Sequence, residues 1–199
     1  NSAFSWASNK PFTTSTWIKF NSLLDQPGAI MGKSNLTSGE REWAIYVSNE
    51  GEPNRKLVFE LTDPIRSNYI NKKIILREYA DILDNKWAHI VTTYDGSLNA
   101  RGLNIYINGV RCTGDSVLRT NFGSFSGMTT QTTKFSVGNL YTMDSETPPA
   151  PDEGGIYKLR AQLAEIALWS KVLSDSDIAT LAHVPYSLKS GITSDPARV

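Results

Sequence analysis

Short runs of alternating apolar and polar residues, cut by turn formers, follow one another along most of the chain. In "PFTTSTWIKF" Phe12, Ile18 and Phe20 share one parity and Trp17 takes the other. In "EWAIYVS" Trp43, Ile45 and Val47 fall together, with Ala44 and Tyr46 opposite. "KLVFELT", "KKIILREYA", "WAHIVTTYD", "RGLNIYINGVRC", "KFSVG" and "YKLRAQLAEIALWS" continue the series. A period of two puts successive side chains on opposite faces, so these runs predict strands with one better-buried face. Asp95-Gly96 in "YDGS" and Asn108-Gly109 in "INGV" supply residues that tolerate the positive φ of tight turns. Apolar alternation flanks the second on both sides, which predicts a hairpin at Ile107–Val110. One segment reads as helix, "LSDSDIATLAH": Ser174 suits the N-cap, Asp177 stands three residues later, and Ile178 and Leu181 share a face. Many short strands with almost no helix predict a β-sandwich or barrel. Trp17, Trp87 and Trp169 lie in the clearest alternating runs and are expected to be mostly buried.

Two intervals break the pattern. "NLYTMDSETPPAPDEGGIY", from Asn139, holds three prolines, two adjacent glycines and four acids. It is too long for an ordinary hairpin loop, and long loops in compact domains are often functional. Thr113–Thr133 is a second long excursion, rich in Ser, Thr and Gly. After the helix, "PYSLKSGITSDPARV" is rich in turn formers. The expected organisation is one domain over residues 1–184 and a linker, or the start of a further module, over 185–199. The start at Asn1, without Met, reads as a piece of a longer polypeptide.

Composition changes this picture little. The chain has 199 residues, 40% hydrophobic and 20% charged, which suits one globular domain. Lys+Arg and Asp+Glu both total 20, so net charge gives no argument for nucleic acid or an anionic membrane. No apolar run approaches the length of a membrane span. Cys112 is the only cysteine, so no internal disulfide forms. "NLT" at Asn35 fits a glycosylation sequon, a triplet common by chance.

His89, one of two histidines, sits among aspartates and invites a catalytic reading. Parity opposes it. Trp87, His89, Val91 and Thr93 fall on one face and Ala88, Ile90, Thr92 and Tyr94 on the other, so His89 is inside a strand. No Gly-x-Ser-x-Gly elbow is present; "GSFSG" has Phe125 at its centre. His89 is therefore expected to be a packed strand residue. A cleft placing its ring within reach of a Ser or Cys nucleophile would reverse that reading.

"FTTSTWIKF", "WAHIVTTYDGS", "GLNIYINGV", "FSVGN" and "LAEIALWSKVLSDSDIATL" resemble, in order, the laminin-G-like and pentraxin-like domains of the concanavalin A-like lectin/glucanase superfamily. The likeness spans Phe12 to Leu181. It implies an all-β, two-sheet antiparallel jelly-roll sandwich with one short C-terminal helix, in which the tryptophan and histidine of "WAH" are structural. In pentraxin-like relatives the segment before the last strand carries an acidic calcium-binding loop; here it corresponds to Asn139–Lys158. The resemblance thus implies a possible calcium cofactor, with Asp144 and Asp152 as metal ligands. Calcium takes six to eight oxygens, several from carboxylates. The sequence departs from the relatives in having "NLYTMD" after the glycine and Ala164 where many carry aspartate.

The function expected is a non-enzymatic recognition module, binding glycan or a protein surface through its loops. Its ligand-binding residues would be Tyr141, Asp144, Glu146, Asp152, Glu153 and Tyr157. It would belong to a larger extracellular or virion-surface protein, contacting other subunits or domains but neither nucleic acid nor the membrane interior. The alternative is a structural, adhesion or decoration module of a viral particle, acting by protein–protein contact. A jelly-roll glycosidase is the third reading. Such enzymes need carboxylates alternating on one strand; Glu40 and Glu42 in "EREW" have that spacing without a third acid, and Glu50 and Glu52 in "NEGEP" lie in a turn.

Overall fold

The computed structural model describes residues 4–6, 9–20, 28–35, 40–48, 56–63, 72–79, 86–115, 117–140 and 159–183, with 72–79 and 122 described by their backbone alone. Eleven strands and one α-helix are found there: β1 Phe12–Phe20, β2 Gly28–Ser34, β3 Arg41–Ser48, β4 Lys56–Asp63, β5 Lys72–Tyr79, β6 Ala88–Tyr94, β7 Leu103–Ile107, β8 Val110–Arg111, β9 Leu118–Phe122, β10 Ser136–Val137, β11 Ala161–Trp169 and α1 Asp175–His183. They form two antiparallel sheets, β11-β1-β6-β7-β8 and β10-β2-β3-β4-β5-β9. The chain passes repeatedly from one sheet to the other, as the jelly-roll expectation requires.

The alternation seen in the sequence sorts residues as expected. Phe12, Ile18 and Phe20 of β1, Trp43, Ile45 and Val47 of β3, and Ile90 and Tyr94 of β6 are buried in the core between the sheets, with Leu57, Phe59 and Leu61 of β4 and Leu103 and Ile105 of β7. Trp6 stacks on Phe12 at 4.4 Å between ring centres, and Phe125 of "GSFSG" is a core residue. Burying so many large side chains between two sheets is the main source of stability.

A second apolar cluster lies on the outer face of the five-stranded sheet. Ile178 and Leu181 of α1, with Leu173, cover Val91, Tyr106, Ala167 and Trp169. The cap is reciprocal: Ser174 Oγ accepts from Asp177 N (3.2 Å) and donates to Asp177 Oδ2 (2.7 Å). The helix crosses the β7–β8 turn, where Asn108 and Gly109 have φ of 51° and 80°. A Cβ on Gly109 would stand 3.0 Å from the Ala179 backbone, so glycine serves both the turn and the close approach.

Several expectations need correction. Trp87 is 43% exposed, and Trp17 is half-buried; of the three tryptophans only Trp169, at 1%, is fully enclosed. The Asp95-Gly96 turn does not close a tight hairpin: a 3-10 turn at Ala100–Gly102 follows before β7 begins. Two strands fall outside the sequence reading, β2 and β9, the latter inside the Thr113–Thr133 excursion. Asn35 of the sequon is only 5% exposed. The 184/185 domain boundary lies outside the described residues.

Candidate functional site

The residues singled out for recognition and metal binding, Tyr141, Asp144, Glu146, Asp152, Glu153 and Tyr157, lie outside the described residues. Their flanks lie within the described residues. Gly138 N donates to Ile30 O at 2.9 Å, and Leu159 N donates to Gly138 O at 2.9 Å. The two ends of the segment are thus joined at the β10 edge of the six-stranded sheet. Leu140 is buried against Ala29 and Ala44, with Tyr46 packed beside them, on that sheet's outer face. Among the described residues no group of three or more His, Cys, Asp or Glu could hold a metal ion.

His89 lies inside β6, as its parity requires, and is 2% exposed. Its Nε2 stands 2.7 Å from Ser15 Oγ, a spacing that a nucleophile and base would also have. The setting differs from a catalytic one. Ser15 is 4% exposed, on an extended strand rather than a strained turn, so no substrate carbonyl reaches its oxygen. The backbone of His89 is tied to the β7–β8 turn as well: its N–H donates to Asn108 Oδ1 (2.9 Å), and its carbonyl accepts from Asn108 N (2.8 Å). This hydrogen bonding locks β1, β6 and the turn together.

Beyond the part of the five-stranded sheet covered by α1, the outer face carries aromatic and polar groups side by side. Trp17 pairs with His89 across β1 and β6, their ring centres 5.1 Å apart. Trp87 precedes His89 by two residues and so belongs to the same face. Lys19 of β1 is opposite Gln162 of β11 in the next row; Lys19 is half-buried and Gln162 exposed. Trp87 is open because the core takes the other parity of β6, and the helix cluster extends along this face only to Val91. The sequence held that signal: Trp87 shares the parity of His89 and Thr93, not of Ile90 and Tyr94.

A bulge helps to build this face. The β1–β11 register shifts between Ser15 and Trp17, and Glu165 at the shift has φ of 53°. Thr16 Oγ1 donates to Ala164 O at 3.1 Å. The extra residue lets Leu163 on one side, and Ile166 and Leu168 on the other, all pack toward the core, and it brings Ala164 opposite Trp17.

Glu42, half of the "EREW" pair, turns out to be an ion-pair partner. Its Oε1 accepts from Lys33 Nζ at 2.6 Å, and both side chains have no exposure. The same oxygen accepts from Gln131 N (2.7 Å) and Ser5 Oγ (3.0 Å), while Lys33 Nζ also donates to Gln131 O (2.8 Å) and Ser5 Oγ. Glu40 instead accepts from Thr132 Oγ1 at 2.7 Å. Glu42, enclosed with its lysine, is therefore not open to a substrate.

Comparison with solved structures places the fold. A heptameric SAP-like pentraxin from Limulus polyphemus is 16% identical with TM-score 0.52, over 88% of this chain and 70% of the pentraxin. A putative carbohydrate binding protein from Bacteroides ovatus is 17% identical with TM-score 0.53, over 86% of this chain and 40% of its own. Botulinum neurotoxin type C, in a structure concerned with its interaction with two ganglioside molecules, is 18% identical with TM-score 0.53, over 88% and 36%. The chain thus spans well under half the length of the last two. Comparison with curated proteins finds no matching sequence. A family model covers residues 1–179, nearly all of what folds here into two sheets and a closing helix, and the chain belongs to that laminin-G-type family of the concanavalin A-like lectin/glucanases superfamily.

Proposed function

We propose that this domain is a non-enzymatic recognition module that binds glycan, within a larger extracellular or virion-surface protein. The observation that carries the reading is the open indole of Trp87 at the head of β6, the strand that pairs with β1, on a sheet whose outer face also presents Trp17, Lys19 and Gln162. The C–H-bearing face of a sugar ring is apolar and packs on an indole. Its hydroxyls then need donors and acceptors nearby. Exposing so much tryptophan without a ligand is unfavourable, whereas Phe12 and Phe20 of β1, Trp43 of β3 and Tyr94 of β6 are enclosed. The similar structures named for carbohydrate binding and for ganglioside interaction support the class of ligand, at the level of fold alone. No helix among the described residues is long and apolar enough to cross a membrane.

A glycan array run with calcium and with chelator tests the proposal, using the wild type and Trp87→Ala. Wild type should bind a restricted set of glycans, and recovered glycan should be unchanged in mass. Trp87→Ala should lose that binding while its melting temperature stays near wild type. Wild-type binding by Trp87→Ala, or no glycan bound at all, would reject the reading, and cleavage of a bound glycan would reject its non-enzymatic part.

A further inference from the structure

At the far edge of the same sheet two guanidinium groups meet on one neutral oxygen. Arg111 of β8 donates from Nε (3.1 Å) and Nη2 (2.7 Å) to Oδ1 of Asn104. Arg119 comes from β9, in the other sheet, and its Nη2 donates to the same Oδ1 (3.3 Å) and to the Leu103 carbonyl (3.1 Å). Asn104 is fixed in turn, its Nδ2 donating to Thr93 Oγ1 at 3.3 Å. Arg119 is thereby tied across the edges of both sheets and held on the same oxygen as Arg111.

Among the described residues neither Arg111 nor Arg119 is ion-paired with an acid, and Asp175, beside the same face, accepts from the Tyr106 hydroxyl at 2.7 Å. Burial, and then the charge of Arg111, push the Arg119 guanidinium below its usual pKa range. Two like charges gathered on an amide form an arrangement that an anion relieves. The Nη1 groups of both arginines make no hydrogen bond among the described residues.

We propose that Arg111, Arg119 and Asn104 form a binding site for an oxyanion, a carboxylate or sulfate ester, carried by an acidic glycan. The choice of a glycan rests on the recognition reading above; the anion site rests on the arginines. Planar guanidinium forks match such oxyanions, and burial of Arg119 strengthens the attraction.

The experiment compares wild type, Arg111→Gln and Trp87→Ala in two assays. One is thermal unfolding in sulfate against chloride at constant ionic strength. The other is binding of sialyllactose against lactose and of a sulfated against an unsulfated oligosaccharide. Wild type should melt higher in sulfate and bind one acidic glycan at least tenfold tighter than its neutral partner. Arg111→Gln should lose both effects and keep its melting temperature in chloride, and Arg119→Gln should reproduce the loss. Equal binding of acidic and neutral glycans, abolished by Trp87→Ala, would overturn the anion site and leave the recognition reading standing. A sulfate effect that Arg111→Gln removes, with no glycan bound by any variant, would reject the recognition reading and the glycan as occupant. Arg111-dependent binding of an oligoglutamate peptide in place of acidic glycans would move the occupant to protein and overturn the proposal as stated.

Discussion

Lys33 and Glu42 stand on neighbouring strands with no solvent exposure, so each charge depends on the other. Lys33→Ala would leave a buried carboxylate without its counter-ion, a change that costs about 3–5 kcal/mol. Urea unfolding should report that loss, and a Lys33→Met/Glu42→Leu double variant should recover much of it. A loss under about 1 kcal/mol in the single variant would mean that Ser5 and Gln131 hold Glu42 without the lysine. Tyr106 provides a pH handle. Burial first, then its hydrogen bond to Asp175, push its hydroxyl up to about 12. Because the folded value is raised above 10, the stabilisation is complete below pH 10 and is lost as pH rises toward about 12. Melting temperatures between pH 9 and 12 should fall less steeply in Tyr106→Phe than in wild type. Neither pairing, Lys33 with Glu42 or Tyr106 with Asp175, was legible in the sequence. Glu42 was noticed for its spacing from Glu40; its partner lies nine positions earlier in a strand the pattern did not reveal, beside a register shift at Lys33/Ser34.

At the scale of elements, α1 closes the outer cluster through two side chains and one cap. Ser174→Ala removes the acceptor for Asp177 N and should cost about 1 kcal/mol, read as a lower melting temperature. Ser174→Asp, which keeps an acceptor there, should restore it. This helix was legible down to its cap and its buried pair, because Ser, Asp, Ile and Leu stand at spacings that only a helix uses. The strands β1, β3, β6 and β7 were legible because each has one face in the core and a more polar opposite face. β2 escaped because every residue of "GAIMGKS" is buried, its lysine included, so no alternation marks it. β9 escaped for the opposite reason: "LRTNF" is an edge strand whose arginine and asparagine serve β7 and the 3-10 turn. Edge strands with polar side chains resist further pairing, and that benefit hides them from a hydrophobic pattern.

For the molecule as a whole, the two sheets differ in what their outer faces carry. The five-stranded sheet carries the helix, Trp17 and Arg111, with Arg119 reaching it from β9 of the other sheet, while residues 141–158 follow Leu140, itself buried on the outer face of the six-stranded sheet. That segment stood out in the sequence by its length, prolines and acids, yet what its side chains do depends on contacts that composition does not encode. The calcium expectation at Asp144 and Asp152 yields a direct outcome. Binding to the native state alone should raise the melting temperature in millimolar calcium, and chelator should reverse it. Asp144→Ala/Asp152→Ala should abolish the response. A melting curve unmoved by calcium or chelator would remove the metal from the picture.

The backbone bonds that join Gly138 to Ile30 and to Leu159 reach further than local stability. They clamp both ends of the intervening stretch to the sandwich, so the strands keep their register whatever runs between. Closing a longer or shorter stretch across such a clamp changes the entropy only slowly with its length. The length and composition of that stretch thus become adjustable without moving the strands. One scaffold can host many different inserts at this position, which makes the clamp a natural point for diversification and a ready junction for grafting.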